Sequence, residues 1–124
     1  MTTSSTAAPQ GALSHLKVLD LSRVLAGPWC TQMLADLGAD VIKVERPQAG
    51  DDTRHWGPPF VPDAEGRPTS DATYFTACNR NKRSITIDMA RPEGQALIRR
   101  LAAESDIVVA VSYTHLTLPT KRIV

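Results

Sequence analysis

The residues whose types and spacing could do chemistry fall at a few points of the chain. Leu25, Ala26, Gly27 and Pro28 put small residues ahead of a proline that suits the first turn of a helix. A ligand could approach the backbone there, with the following amides facing an anion. On spacing alone, the same four residues do no more than start a helix. Arg46, Arg54, Arg80, Lys82 and Arg83 flank a proline-rich stretch and have the donors for a phosphate-holding rim, arginine being suited to bidentate contacts. The competing reading is a solvated charged face. Glu45 stands where a dinucleotide-binding unit carries its acid, but the GxGxxG that admits a pyrophosphate is missing, so a nicotinamide or flavin site is disfavoured. Glu45 then caps a strand or pairs with a nearby base.

His15, His55 and His115 have no partner close in sequence, and Cys30 and Cys78 lie far apart without CxxC spacing. No metal site and no disulfide are expected, and buried free thiols are the default. Trp56 reads as a loop anchor, or, beside Arg54, as a contact for an adenine.

These residues need a scaffold, and the rest of the chain supplies one. Its 124 residues hold at most one small domain, and the 42% hydrophobic, 5% aromatic composition calls for a core of Val, Leu, Ile and Ala. A formal net charge of +1 offers no general attraction to nucleic acid or to an anionic membrane. No apolar run approaches the roughly 20 residues of a membrane span, and a cytoplasmic location is expected. Residues 17–21 (KVLDL) read as a strand, residues 28–37 as a helix with Trp29, Met33, Leu34 and Leu37 at helical spacing, and residues 40–45 (DVIKVE) as a buried strand. Gly38 stands where a left-handed helix end is expected. Together they make a βαβ unit, whose ligands sit beyond the carboxyl ends of the strands.

Residues 47–70 are rich in proline and glycine and read as a long surface loop without regular structure. Residues 84–88 (SITID) alternate as a half-exposed strand does. Pro92 then opens a helix with Leu97, Ile98, Leu101 and Ala102 inward, and residues 106–109 (DIVV) add a last strand. The expected fold class is α/β: a partial Rossmann-like parallel sheet with flanking helices, forming an incomplete domain.

Several ordered motifs then resemble one family. Val18-Leu19-Asp20-Leu21, Ala26-Gly27-Pro28, the run from Leu34 to Glu45 (LADLGADVIKVE), Gly50-Asp51-Asp52-Thr53-Arg54 and the run from Asn79 to Ile85 (NRNKRSI) are similar to the opening of family III CoA-transferases of the CaiB/BaiF type. The similarity runs from Leu13 to Val109. Trp56-Gly57-Pro58-Pro59-Phe60 resembles members that move CoA between dicarboxylic acids. The related α-methylacyl-CoA racemases share the βαβ opening but have a shorter connection before the Lys-Arg-Ser segment, so the long connection favours a transferase. A nucleotide-binding module without catalysis is a further alternative.

The resemblance implies that coenzyme A or an acyl-CoA is a substrate and a carboxylic acid the acceptor. It places the cofactor against Val24, Leu25 and Ala26, with Arg46 beside them and Ile87, Asp88, Met89 and Ala90 as another wall. Family members carry glutamine where Leu25 stands and lysine where Ala90 stands, which removes two polar contacts. The family's nucleophile is an aspartate downstream of the matched region, so no catalytic residue is assigned among Asp51, Asp52 and Asp88. An interlocked homodimer is implied for the parent enzyme. The organisation expected is a flexible tail over 1–14, the amino-terminal part of the family's large domain over 15–109, and a tail outside the family pattern over 110–124. Residues 111–124 (VSYTHLTLPTKRIV) resemble a peptide translated from sequencing-adapter DNA, against the alternative of an edge strand over 113–118.

Overall fold

The structure is a computed structural model and describes residues 10–111; the stretch before residue 10 and residues 112–124 of the tail expected over 110–124, with His115 and the alternative edge strand over 113–118, lie outside them. Four strands, β1 (Lys17–Asp20), β2 (Asp40–Glu45), β5 (Arg83–Thr86) and β6 (Ile107–Val109), form an all-parallel sheet in the order β5-β2-β1-β6. Three helices accompany it, α1 (Ala26–Asp36), α2 (Thr73–Asn79) and α3 (Pro92–Ala103). The expected α/β class is therefore what the chain adopts.

Apolar residues on successive positions of β1 feed opposite faces of the sheet, as a period of two requires. Val18 joins Ala35, Ala39 and Val41 in one core, against which Leu13, Leu16 and Leu34 pack. Leu19 joins Leu21, Val44, Ile87 and Ile98 in the other, with Leu101, Ala102 and Val108 packed against it. Covering both faces is what lets the two central strands be buried. Leu13 also donates its amide to the Leu37 carbonyl at 2.9 Å, and Gly11 sits so close to Gly38 that a Cβ on either would meet the other's backbone at 2.8 Å. Part of the stretch expected as a tail is thus packed on the end of α1. Gly38, at φ 103°, takes the left-handed position anticipated for it.

Three expectations need correction. Residues 47–70 are not without regular structure: Asp52–His55 form a 3-10 turn, and β3 (Phe60–Pro62) pairs antiparallel with β4 (Pro68–Ala72). The hairpin survives its prolines because it stands apart from the main sheet as a two-stranded unit with few ladder bonds to lose. Next, α2 was not anticipated, its seven residues being too short to show a helical period. Finally, the apolar spacing of α1 does not mark its buried face, since of Trp29, Met33, Leu34 and Leu37 only Leu34 packs against the core. Gly27, Pro28, Thr31, Gln32 and Ala35 are buried, while Trp29 is 51% and Met33 56% exposed. On α3, Leu97 likewise faces outward, leaving Ile98 as the buried anchor.

Candidate functional site

At the carboxyl ends of the parallel strands a shallow, open cleft is lined by Ser22, Arg23, Lys43, Val44, Glu45, Arg46, Gly50, Asp51 and Met89. Each wall leaves a different strand: residues 22–25 follow β1, Arg46 follows β2, and Met89 lies beyond β5. Of the residues that the resemblance assigns to the cofactor, Arg46 and Met89 line the cleft directly, as does Glu45. Val24, Leu25 and Ala26 continue from its Arg23 wall into the first turn of α1, and Leu25 and Ala26 are exposed. Asp88 caps its own turn, its Oδ1 accepting the Ala90 amide at 3.0 Å. Ala90 is exposed, whereas the Ile87 side chain belongs to the core.

Beneath the cleft lies a group of buried charges that sequence reasoning missed. Lys43 and Asp51 have side chains 1% and 0% exposed and stand 2.9 Å apart, Nζ to Oδ2. That contact is off the hydrogen-bonding direction and acts through charge. Lys43 Nζ also donates to the Ser22 carbonyl at 3.0 Å. Asp51 Oδ1 accepts from the Thr53 amide, the Thr53 hydroxyl and the Val24 amide. Burial alone would raise the Asp51 carboxyl, but the Lys43 ammonium and the Thr53 donors outweigh it and hold it below the usual range.

A second buried pair sits behind the helix start. Lys82 Nζ contacts Asp20 Oδ2 at 3.1 Å and donates to the Pro28 carbonyl at 2.8 Å and to Asn79 Oδ1 at 2.9 Å. Asp20 also accepts from the Thr31 hydroxyl and from both the amide and the hydroxyl of Ser22. Gly27 is required by this packing, because a Cβ there would meet the Ser22 side chain at 2.2 Å. The signal available in the sequence was Lys43 itself, a cation in the middle of an apolar strand.

The five basic residues proposed as a rim do not converge on one point. Arg54 forms a two-pronged pair with Glu45, both bonds 2.7 Å, and stacks 3.8 Å over the Phe75 ring. Arg80 pairs with Asp36, Lys82 with Asp20, and Arg83 with Asp40. Only Arg46 stays at the cleft, where Asp52 bridges it to Arg23. Glu45 is thus the partner of a base. Burial would raise its carboxyl, but bonds from Arg54, the Ser84 hydroxyl and the Asp51 amide bring it down to about 2. Cys78 is buried and Cys30 exposed, both as free thiols. Trp56 meets Tyr74 edge to face at 5.2 Å, as a loop anchor would.

This arrangement can present fixed backbone amides and the guanidinium groups of Arg23 and Arg46 to an anion at an open sheet edge. Comparison with known proteins gives that geometry a lineage. The family model described as CoA-transferase family III matches residues 13–115. A succinate–glutarate CoA-transferase of Agrobacterium fabrum is 61% identical over 97 residues, which are 78% of this chain and 24% of that protein. The succinyl-CoA:glutarate CoA-transferase of Homo sapiens is 54% identical over 97 residues, 78% of this chain and 20% of that one. A crystal structure of a CaiB/BaiF family protein from Brucella suis superposes with a TM-score of 0.72 at 57% identity, over 82% of this chain and 26% of that chain. The chain therefore spans about a quarter of the length of the relatives it matches. With the family model covering most of the chain and the strand-end cleft in place, this chain belongs to CoA-transferase family III.

Proposed function

We propose that the protein carrying this segment transfers CoA from an acyl-CoA donor to a carboxylic acid acceptor, and that the segment supplies part of the CoA site. The observation that supports this most is the meeting, at one end of a parallel sheet, of three stretches that follow β1, β2 and β5. Ligands of α/β folds bind at that edge. In this reading Val24, Leu25 and Ala26, with the first amides of α1, receive the adenosine and phosphate portions. Arg46 offers guanidinium donors beside them, and Ile87, Asp88, Met89 and Ala90 make the facing wall.

Donor and acceptor are dicarboxylic acids, a reading supported by the named relatives and by residues 56–60. Transfer runs through an aspartyl intermediate. The carboxylate attacks the thioester carbonyl and CoA leaves as thiolate; the thiolate attacks the aspartyl carbonyl of the mixed anhydride and expels the donor acid. The acceptor carboxylate displaces the thiolate to form a second anhydride, and thiolate attack on its acceptor carbonyl yields the new acyl-CoA and frees the aspartate. That aspartate comes from polypeptide outside these residues. Asp51 is unsuited to the role because both of its oxygens are already engaged by Lys43, Thr53 and Val24. The 124 residues alone do not turn over, and the parent is a cytoplasmic interlocked homodimer. Label exchange decides the reaction: the full-length parent given succinyl-CoA and labelled glutarate should return labelled glutaryl-CoA. Inversion of a single acyl-CoA with no second acid would replace this reading with a racemase.

A further inference from the structure

We propose that the buried Lys43 and Asp51 are positioning residues that hold the loop over 22–25 in its ligand-ready conformation; this rests on the CoA reading of the cleft. The pair is expensive to bury and weak as a stabiliser, so its presence under one loop asks for another reason. Each partner reaches a different backbone atom of that loop. Lys43 Nζ takes the Ser22 carbonyl at 3.0 Å, and Asp51 Oδ1 takes the Val24 amide at 3.4 Å. At the second of these bonds the backbone leaves the ordinary right-handed and extended regions. Val24 sits at φ 71°, a left-handed conformation that a β-branched residue adopts only when its surroundings impose it.

The other end of the same stretch is pinned from below as well. Lys82 Nζ holds the Pro28 carbonyl at 2.8 Å. Asp51 is itself fixed by the hydrogen bond its backbone amide donates to Glu45 Oε2 at 2.8 Å and by Thr53, so it acts as a rigid post. A loop tied at Ser22, Val24 and Pro28 has little freedom left to lose when a ligand arrives, and pre-ordering of this kind raises affinity without any direct contact. Lys43 and Asp51 reach the floor of the cleft, but with side chains only 1% and 0% exposed they act on a ligand through the loop they hold.

The test must separate positioning from plain stability. Asp51→Asn alone strands the Lys43 charge and risks unfolding, so the informative protein is the double variant Lys43→Met, Asp51→Leu, which removes both charges at similar volume. It is made in the full-length parent and compared with wild type by urea unfolding, by ¹⁵N relaxation of the deuterated protein and by calorimetric titration with CoA. We expect a retained cooperative transition, with amide order parameters at Val24, Leu25 and Ala26 falling from about 0.85 to below about 0.6 while those of α3 stay unchanged. CoA affinity should fall about tenfold, the cost of ordering one or two backbone residues on binding. Unchanged order parameters in a folded double variant overturn the positioning role. Lack of heat from CoA with the wild-type chain overturns the CoA reading of these residues instead, and the order parameters still decide whether the pair holds the loop.

Discussion

Helices α1 and α3 flank the same sheet and obey opposite rules. On α3, Ile98 is buried in an apolar core with Leu101 and Ala102 packed beside it, and Arg99 and Arg100 face solvent. On α1, Thr31 and Gln32 are buried, and Leu25, Trp29, Met33 and Leu37 form an exposed apolar row at intervals of four residues. The inward polar groups of α1 are fully used. Thr31 donates to Asp20 at 2.6 Å, and Gln32 bridges the Ala77 carbonyl and the Arg80 amide, tying α1 to α2. One helix is held by burial of apolar area, whereas the other adds to the packing of Leu34 and Ala35 a hydrogen-bonded set of charges placed under the cleft. The difference shows that the cleft side of this domain is organised around polar atoms and that an apolar row need not mark the core.

The contrast can be broken most severely at Lys82. Replacing it by Met leaves the Asp20 charge buried and uncompensated, and stability should drop by about 3–5 kcal/mol, read from urea unfolding. A loss below about 1 kcal/mol would mean that charges do not hold the α1 side.

Acid should act next. The Glu45 carboxyl lies near 2 in the folded chain against 4.5 unfolded, so its contribution is fully present above about pH 4.5 and drains away as pH falls toward 2. The amount at stake is on the order of 3 kcal/mol at neutral pH. Asp51, also held low, adds to the loss in the same direction. Unfolding midpoints at pH 7 and pH 3 should therefore converge in Glu45→Gln relative to wild type; an equal pH dependence in both proteins would remove Glu45 from the account.

The smallest effects sharpen the comparison within α1 itself. Thr31→Val keeps shape but leaves Asp20 short of a donor, and should cost about 1–3 kcal/mol. Met33→Gln, on the apolar side of the same helix, should change monomer stability by no more than about 0.5 kcal/mol. Ordinary amphipathic packing would reverse that order, and paired denaturation curves decide it.

Much of the fold was legible along the chain. The β2 strand appeared at its observed bounds because Val41, Ile42 and Val44 stand together between turn residues. Pro92 marked the start of α3, and Gly38 marked the end of α1. The orientation of α1 was not legible. Its apolar spacing is real, but spacing reports a stripe and not which side the sheet lies on. The hairpin was hidden because prolines argue against strands within a large sheet and say little about a two-stranded unit standing apart. At the cleft, Arg46 and Met89 were named from family resemblance, whereas Lys43 and Asp51 were not, because a lysine in an apolar strand has no evident partner until the chain folds.

By itself, then, the sequence determined the α/β class, the βαβ opening, the helix punctuation and the family, all of which rest on residue types within a few positions of one another. Only the tertiary structure decided which charges meet. Asp20 and Lys82 are 62 residues apart along the chain and 3.1 Å apart in space, and Arg80 finds Asp36 across 44 positions. Pairings of that kind are set by strand order and helix packing, and no local pattern carries them.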